Sequence, residues 1–414
     1  MKSYYDVVGS GEGISGLIAC VLLSQKGFSC LWADTAHQVS GDSPQCSIPL
    51  LVTRVFWEHG VKPVFSAVGT SFLESLQPRA LEKVQSIVPG KRFDVGPGPV
   101  NGDLMLQQKN TVKYLQLLGK SMTRPGALLR AAQRAVPEVQ PWEKDHITAL
   151  CRTGKPNYLS YLRWMASLSG MYSLDYHAVK QKLGRYLPQN RGDFLHVGEA
   201  DVIVENGRPS GLRVNSTQVK SRYFISDHSA DDHARGGFVF YGTCVVDREV
   251  IPVGMGDMLV VSPPQDMRYP MVLLVDRKGD KGIVTVTTKV PADNVLTSRT
   301  ELLSWAMGMI FKRLKQVIPY LKDYLIGFDV IDPFTDNSTR PWFRYADEVR
   351  VPWYVSAKRY MKQGNNVFTC NSMQYGWLDM EGEVLWGICM ANAILMDLNR
   401  SDLITSRMAR MTRV

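Results

Sequence analysis

Several features that define common protein classes are missing from this sequence. It has no run of about 18 apolar residues, which a helix needs to span a membrane. Its seven cysteines include no C-x-x-C pair, which argues against a disulfide framework and a structural zinc site. The basic residues are scattered, with no stretch interleaved with aromatic residues, which argues against a nucleic-acid partner. We therefore expect a cytoplasmic protein with reduced thiols and no bound metal.

The general composition is that of an ordinary globular protein. The 414 residues are 45% hydrophobic and 21% charged, and this length suits two domains or one large domain with an insertion. The early apolar stretch Leu17–Leu23 is short and follows a glycine-rich turn, so we expect no cleaved signal peptide. The net charge of +9 favours contact with anions, anionic lipid surfaces or acidic partners.

The N-terminal segment has the pattern of a βαβ unit. An apolar strand pattern over Tyr4–Val8 leads into the glycine-rich stretch Gly9–Gly16. A helical run follows and stops at Gly27, and strand character returns over Phe28–Trp32 before Asp34. This order within about 30 residues is typical of a dinucleotide-binding unit.

The glycines can be placed in two registers, and only one agrees with the later residues. A count from Gly9 leaves the third glycine position without glycine, whereas a count from Gly11 gives Gly11-x-Gly13-x-x-Gly16 and puts Asp34 where the ribose carboxylate belongs. In this register the three glycines permit the turn, the approach of the backbone to the pyrophosphate and the packing of the helix on the strand. A carboxylate at the ribose disfavours NADP. The alternative is a glycine-rich turn that binds no ligand.

The rest of the chain mixes helical and strand patterns. Apolar spacing predicts helices over 72–90, 106–135 with a break at Pro125, 157–190 with an interruption near Gly170, 297–324 and 382–398. Runs of β-branched and aromatic residues over 237–289 predict an antiparallel meander. This order predicts an α/β fold in which a Rossmann-like domain, with a parallel sheet and helices, is interleaved with an α+β domain containing an antiparallel sheet.

Three further segments resemble those of a flavoprotein superfamily. Lys91–Gly98 is similar to an "RFD-x-GP" segment, and the hairpin and strand over Val202–Ser226 are similar to a second adenosine-contact block. Asn366–Gly387 is similar to a C-terminal flavin motif in which a strand and a loop precede a helix that points at the flavin. Together with the glycine motif, these segments resemble the superfamily of phytoene desaturases, flavin amine oxidases and Rab GDP-dissociation inhibitors.

The resemblance implies FAD as the cofactor and a set of residues that contact it. The implied contacts are Gly11, Gly13, Ile14, Ser15, Gly16, Asp34, Thr35, Gly41, Asp42, Ser43, Gly96, Ala200, Cys370, Asn371, Gly382, Glu383 and Val384. Three positions depart from the family pattern. Ser40–Ser43 replaces Gly-Gly-Arg, Cys370-Asn371 replaces Gly-Asp, and Pro188–Gly192 stands near the usual P-x-GG. The departures weaken the expected contacts to the phosphates.

The sequence assigns no catalytic residue. By resemblance, the loop that carries Tyr375 and Trp377 faces the flavin, so these residues are candidates for lining the substrate; the alternative is that they only pack the loop. Cys370 lies beside the flavin in the same comparison and is either a covalent anchor or a small buried residue. The acidic and histidine-bearing segment 227–233 is interpreted as a hydrated loop rather than a metal site.

The predicted domains follow from the same resemblance. The FAD-binding domain comprises 1–105, 186–235 and 355–398, the substrate domain comprises 106–185 and 236–354, and 399–414 forms a basic tail. The tail carries apolar residues at helical spacing, so we expect it either to contact an anionic membrane surface or partner protein, or to dock on its own domain.

The leading hypothesis is an FAD-dependent oxidoreductase of the amine oxidase or desaturase type. It would oxidise a C–N or C–C bond, or use reduced flavin with O₂, on a small molecule, a peptide or a protein. The alternative is a non-catalytic binding or escort protein of the Rab GDP-dissociation inhibitor type, with a vestigial nucleotide cleft. A third hypothesis, binding of NAD alone, leaves the C-terminal flavin-like segment without a purpose.

Overall fold

A computed structural model describes most of the chain. The described residues are 2–35, 48–66, 69–96, 103–124, 126–134, 136–151, 156–198, 200–205, 208–227, 238–263, 269–290, 299–331, 362–363, 366–369 and 378–404. Within these ranges, no helix is both long enough and apolar enough to cross a bilayer.

An eight-stranded sheet contains the N-terminal βαβ unit. Its strands are β1 (Tyr4–Gly11), β2 (Cys30–Asp34), β8 (Gly192–His196), β9 (Ala200–Glu205), β10 (Arg208–Val214), β11 (Thr217–Asp227), β17 (Lys362–Gln363) and β18 (Val367–Thr369). β18, β11, β1, β2 and β8 run parallel in that order, and the β9–β10 hairpin extends from β11. The register sets Gly11 opposite Asp34 on one side and Asp227 on the other, so three strand ends meet at one edge.

The helix of the βαβ unit lies between the parallel sheet and the C-terminal helix. Helix α1 (Ser15–Gln25) joins β1 to β2 and ends before Gly27, whose φ of +91° is suited to glycine. The C-terminal helix, here α11 (Met380–Asp397), packs on α1. Gly387 allows the two helices to approach closely, because a Cβ there would lie 2.6 Å from Ile18 Cγ2. Burial between the sheet and α11 explains why α1 is apolar on all faces.

A seven-stranded, mainly antiparallel sheet forms the second layer. Its order is β16 (Leu325–Ile331), β12 (Phe238–Asp247), β15 (Lys281–Val290), β14 (Met271–Lys278), β13 (Met258–Val261), β5 (Val84–Val88) and β6 (Lys91–Asp94). The predicted meander is confirmed for β13, β14 and β15, which pair antiparallel in succession, whereas β12 pairs with β15 and β16 rather than with β13. Two strands from the N-terminal part of the chain join it, since β5 pairs parallel with β13 and β6 pairs with β5. The sequence division assigned these residues to the other domain, and those boundaries remain a prediction.

A three-stranded sheet and several helices connect the two larger sheets. The small sheet has the order β3 (Pro49–Thr53), β7 (Met171–Asp175) and β4 (Arg79–Leu81). The helices are α2 (Arg54–Phe56), α3 (Lys62–Ser66), α4 (Thr70–Leu76), α5 (Leu104–Ser121), α6 (Gly126–Ala132), α7 (Pro141–Cys151), α8 (Tyr158–Ser167), α9 (Tyr176–Tyr186) and α10 (Arg299–Val317). A π-helical turn, Trp57–Val61, joins α2 to α3.

The predicted helix over 72–90 is wrong beyond its first turns. Helix α4 stops at Leu76 because Gln77 is left-handed, with φ of +42°, and Pro78 follows. The chain then forms β4, β5 and β6. The start of the C-terminal tail also differs from the helical prediction, since residues 400–404 are not helical. They dock on the protein, where Asn392 Oδ1 accepts the Ile404 N–H at 2.6 Å; residues 405–414 lie outside the described ranges.

Candidate functional site: the glycine turn and its acidic lining

The glycine turn has the tight geometry that the sequence pattern predicts. Gly11 has φ of +146°, and a Cβ there would lie 2.3 Å from the carbonyl oxygen of Asp227. A Cβ on Gly16 would lie 2.4 Å from the ring of Trp32 on β2. Gly11 thus brings β1 against β11, and Gly16 brings α1 against β2.

At Gly13 the close neighbour is a carboxylate of the protein itself. A Cβ on Gly13 would lie 2.3 Å from Asp227 Oδ2, and the same oxygen accepts the Gly16 N–H at 3.1 Å. Asp227 is 1% exposed. Its carboxylate therefore occupies the positive end of the α1 dipole, where this type of turn ordinarily presents N–H groups to phosphate.

Asp34 also has partners within the protein. It is buried at the end of β2, where Lys180 Nζ donates to Oδ1 at 2.6 Å and His196 Nδ1 lies 3.2 Å from Oδ2. Lys180, on α9, also donates to the carbonyl oxygen of Glu12 in the glycine turn, at 2.9 Å. The predicted ribose carboxylate is therefore tied to a buried lysine, which sequence reasoning missed because Lys180 is remote in the chain.

A second carboxylate, Glu383, lies in the first turn of α11 beside the start of α1. Ser15 Oγ donates to its Oε2, and its Oε1 has no hydrogen-bond partner among the residues that the structure describes. Burial, and after it the nearby charge of Asp227, raise the pKa of Glu383 to about 8. The N-terminus of α1 is therefore faced by two buried acidic groups.

Replacing Glu383 by glutamine should flatten the pH dependence of stability. Because the folded pKa of about 8 exceeds the ordinary value of 4.5, the native state binds more protons between these pH values, and stability falls as pH rises through that window. Glutamine cannot ionise, so the variant should be more stable than the wild type above about pH 8. Chemical denaturation across the window tests this, with Glu138→Gln on the surface as the control. Parallel profiles for the wild type and Glu383→Gln would contradict the assignment.

A buried ion pair fixes the start of α11. Arg163 Nε donates to Glu381 Oε2 at 2.8 Å, and an Arg163 terminal nitrogen lies 3.6 Å from Asp379 Oδ2. Glu381 Oε1 accepts from the backbone N–H of Thr53 at 2.8 Å and from its hydroxyl at 2.5 Å. Tyr114 also donates to Glu381, whose charge adds to burial in raising the Tyr114 pKa. The network therefore ties α11 to β3, α5 and α8.

A mainly apolar cavity is lined in part by β3. It is bounded by β3, α7, β12, β14 and β15, and its lining residues are Pro49, Leu51, Thr148, Ala149, Val239, Tyr269, Pro270, Val272, Leu274, Thr287, Thr288 and Lys289. Lys289 is largely buried, with Nζ 4.4 Å from the centre of the Tyr269 ring and 3.3 Å from its hydroxyl. The carbonyl of Leu51 accepts from Arg163 at 3.1 Å, so the cavity wall is coupled to the network at α11.

The predicted cofactor contacts fall into three groups. Those that converge at one edge of the parallel sheet are Gly11, Gly13, Ile14, Ser15, Gly16, Asp34, Thr35, Gly382, Glu383 and Val384. Gly96 follows β6, with Glu82 as its near neighbour, and Ala200 begins β9 opposite Val214. Those outside the described residues are Gly41, Asp42, Ser43, Cys370 and Asn371, together with the substrate-lining candidates Tyr375 and Trp377.

In the part of the chain that the structure describes, no group of three or more histidine, cysteine or acidic residues is arranged to hold a metal ion. Most of the segment 227–233 falls outside that part.

Solved structures share this arrangement of sheets and helices. Cyclohexylamine oxidase from Brevibacterium oxydans superimposes with a TM-score of 0.59 and 15% identity, covering 96% of this chain and 100% of that one. Putrescine oxidase bound to putrescine superimposes with a TM-score of 0.57 and 13% identity, covering 95% of this chain and 99% of that one. An oxidoreductase from Methanosarcina mazei superimposes with a TM-score of 0.54 and 12% identity, covering 92% of this chain and 98% of that one. The chain has an amine oxidase fold.

The amine oxidase fold confirms the predicted fold class. No protein-family model matches the chain, and no curated protein matches it. At identities of 12–15%, these superpositions establish the fold alone. The activity has to be inferred from the residues of the site.

The amine oxidase fold implies a flavin dinucleotide, which the glycine turn fits only in part. The strand–turn–helix geometry and the carboxylate after β2 suit an adenosine diphosphate moiety. The two buried acidic residues at the turn do not suit it. Asp227 takes the position at Gly13 that a pyrophosphate needs, and Glu383 adds a second carboxyl group beside it. A phosphate beside the Asp227 carboxylate would bring two like charges together in a buried site, where they oppose each other strongly. The phosphate position of this conformation therefore does not fit the cofactor.

Proposed function

We propose that this protein is an oxidoreductase that depends on FAD and oxidises a C–N or C–C bond in a small apolar substrate. The observation that carries the proposal is the complete strand–glycine turn–helix unit in an amine oxidase fold that covers both chains almost from end to end. Two of the similar structures are named for the amines they act on, cyclohexylamine and putrescine, which favours a C–N bond.

The cavity lined in part by β3 is the proposed site of the substrate. Its walls include Leu51, Val239, Val272 and Leu274, which would bind an apolar group and exclude water. Threonine hydroxyls and the Lys289 amine give a few polar groups that would orient the substrate. The link from Leu51 through Arg163 to Glu381 would hold this wall in a fixed position relative to α11.

A second candidate function is a binding or escort protein without redox activity. The acidic lining of the turn favours it, since Asp227 and Glu383 hold the start of α1 without any ligand. Under this function the apolar cavity would bind a lipid or another apolar group, and the glycine turn would serve only the fold.

A visible absorption spectrum of the purified protein, before and after denaturation, separates the two functions. Flavin bands that are released on denaturation would support the oxidoreductase. Bands that stay with the denatured chain would indicate a covalent flavin and make Cys370 the candidate anchor. A colourless protein that takes up no added FAD would contradict the oxidoreductase and favour the binding protein.

The basic C-terminal tail is the proposed contact with a partner. Its basic residues beyond 404 would contact an anionic surface or a partner protein. Residues 400–404 dock on α1 and α11, where Asp402 pairs with Lys26 at 3.1 Å.

A further inference from the structure

We propose that Asp227 is an internal occupant of the phosphate position, so that a dinucleotide or pyrophosphate binds at the glycine turn only by displacing its carboxylate. For FAD, this inference rests on the proposed function above. For pyrophosphate, it stands on the geometry of the turn alone.

The first argument is position. The Asp227 carboxylate makes the contact that a bound phosphate oxygen would make, since Oδ2 accepts the Gly16 N–H at 3.1 Å in the first turn of α1. A methyl group on Gly13 would lie 2.3 Å from Oδ2 and 2.7 Å from Oδ1. A phosphate group is larger than a methyl group, so a phosphate and the Asp227 carboxylate cannot both occupy the space beside Gly13.

The second argument is that the backbone of Asp227 is held in place. It pairs with Gly11 in the parallel register of β1 and β11, and its carbonyl oxygen accepts the Glu12 N–H at 3.3 Å. The position can therefore be vacated by rotation of the Asp227 side chain, without a change in the sheet.

The third argument is charge. Glu383 lies beside Asp227 at the same helix end, and its Oε1, which is buried, has no hydrogen-bond partner among the described residues. The nearest buried cations have carboxylate partners of their own, since Lys180 binds Asp34 and Arg163 binds Glu381. Among the described residues, a pyrophosphate would therefore meet the Asp227 carboxylate and the Glu383 carboxyl without a further buried cation, and removal of the Asp227 charge should favour its binding.

The test is the binding of inorganic pyrophosphate and of FAD to the full chain and to Asp227→Asn, measured by calorimetry. Asparagine keeps the size of the side chain and removes the charge. We expect at least about tenfold tighter binding of both ligands to the variant than to the wild type. The matched control is Asp103→Asn, which makes the same charge change at the N-cap of α5, where Asp103 accepts the Met105 N–H. The control should bind both ligands as the wild type does.

The outcomes separate this inference from the proposed function. A folded Asp227→Asn that gains affinity for neither ligand would overturn the inference. Tight FAD binding by the wild type that the substitution leaves unchanged would overturn the inference and support the proposed function. A gain for pyrophosphate without FAD binding to either protein would support the inference and remove the proposed function. Should Asp227→Asn not fold, Asp227→Ala takes its place, and no gain there would overturn the inference.

Discussion

Replacing Arg163 by methionine is expected to lower the free energy of unfolding by about 3–5 kcal/mol. Arg163 is fully buried, and it lies 2.8 Å from Glu381 and 3.6 Å from Asp379. Methionine fills much of the same space but leaves the Glu381 carboxylate buried without its cation. The cost of that unpaired charge exceeds the net stabilisation from the intact pair, because the intact pair itself had to be desolvated. Chemical denaturation of the purified variant measures the loss.

Two further variants show whether the unpaired charge is the cause. The double variant Arg163→Met with Glu381→Gln removes both charges and should recover a large part of the lost stability. Arg130→Met makes the same substitution on the exposed face of α6 and should change stability by less than about 0.5 kcal/mol. A double variant no more stable than Arg163→Met would show that packing, rather than the buried charge, carries the effect.

The βαβ unit could be predicted because its determinants are local. The glycines at 11, 13 and 16, the helix end at Gly27 and the carboxylate at Asp34 all lie within one short segment. Gly11 and Gly27 have a positive φ, which favours glycine. The structure shows the predicted strand, turn, helix and second strand in this segment.

The acidic lining of the turn could not be predicted, because it is assembled from distant parts of the chain. Asp227 reaches the turn because β11 lies parallel to β1, a pairing of strands about 200 residues apart. Lys180 reaches Asp34 from α9, and Glu383 reaches Ser15 from α11. The local signal in the sequence is Asp227 itself, an acidic residue at the end of the apolar strand β11. In parallel sheets such strand ends meet at one edge.

The error over 72–90 has a similar origin. The apolar spacing there fits a helix, and α4 does begin as predicted. The strand β5 exists because Val84–Val88 adds to the edge of β13, a partner far along the chain. Its pairing hydrogen bonds and burial outweigh a weak local preference.

Gly13→Val is expected to abolish binding of FAD and to lower stability by about 1–3 kcal/mol. The valine Cβ would lie 2.3 Å from Asp227 Oδ2, so the substitution displaces the buried carboxylate. It also fills the space through which the backbone must approach a phosphate. Retention of FAD through gel filtration and the midpoint of thermal unfolding measure the two effects. Gly198→Val is the control, since a Cβ there meets no atom within 4 Å.

The two effects of Gly13→Val should separate when Asp227 is also replaced. In Gly13→Val with Asp227→Ala, the clash with the carboxylate is gone, so stability should recover relative to Gly13→Val. FAD binding should stay lost, because the valine still occupies the position of the phosphate. A double variant that binds FAD as Asp227→Ala does would show that Gly13 makes room only for Asp227. In that case the cofactor does not approach at this glycine, and the register from Gly11 to Gly16 describes a structural turn.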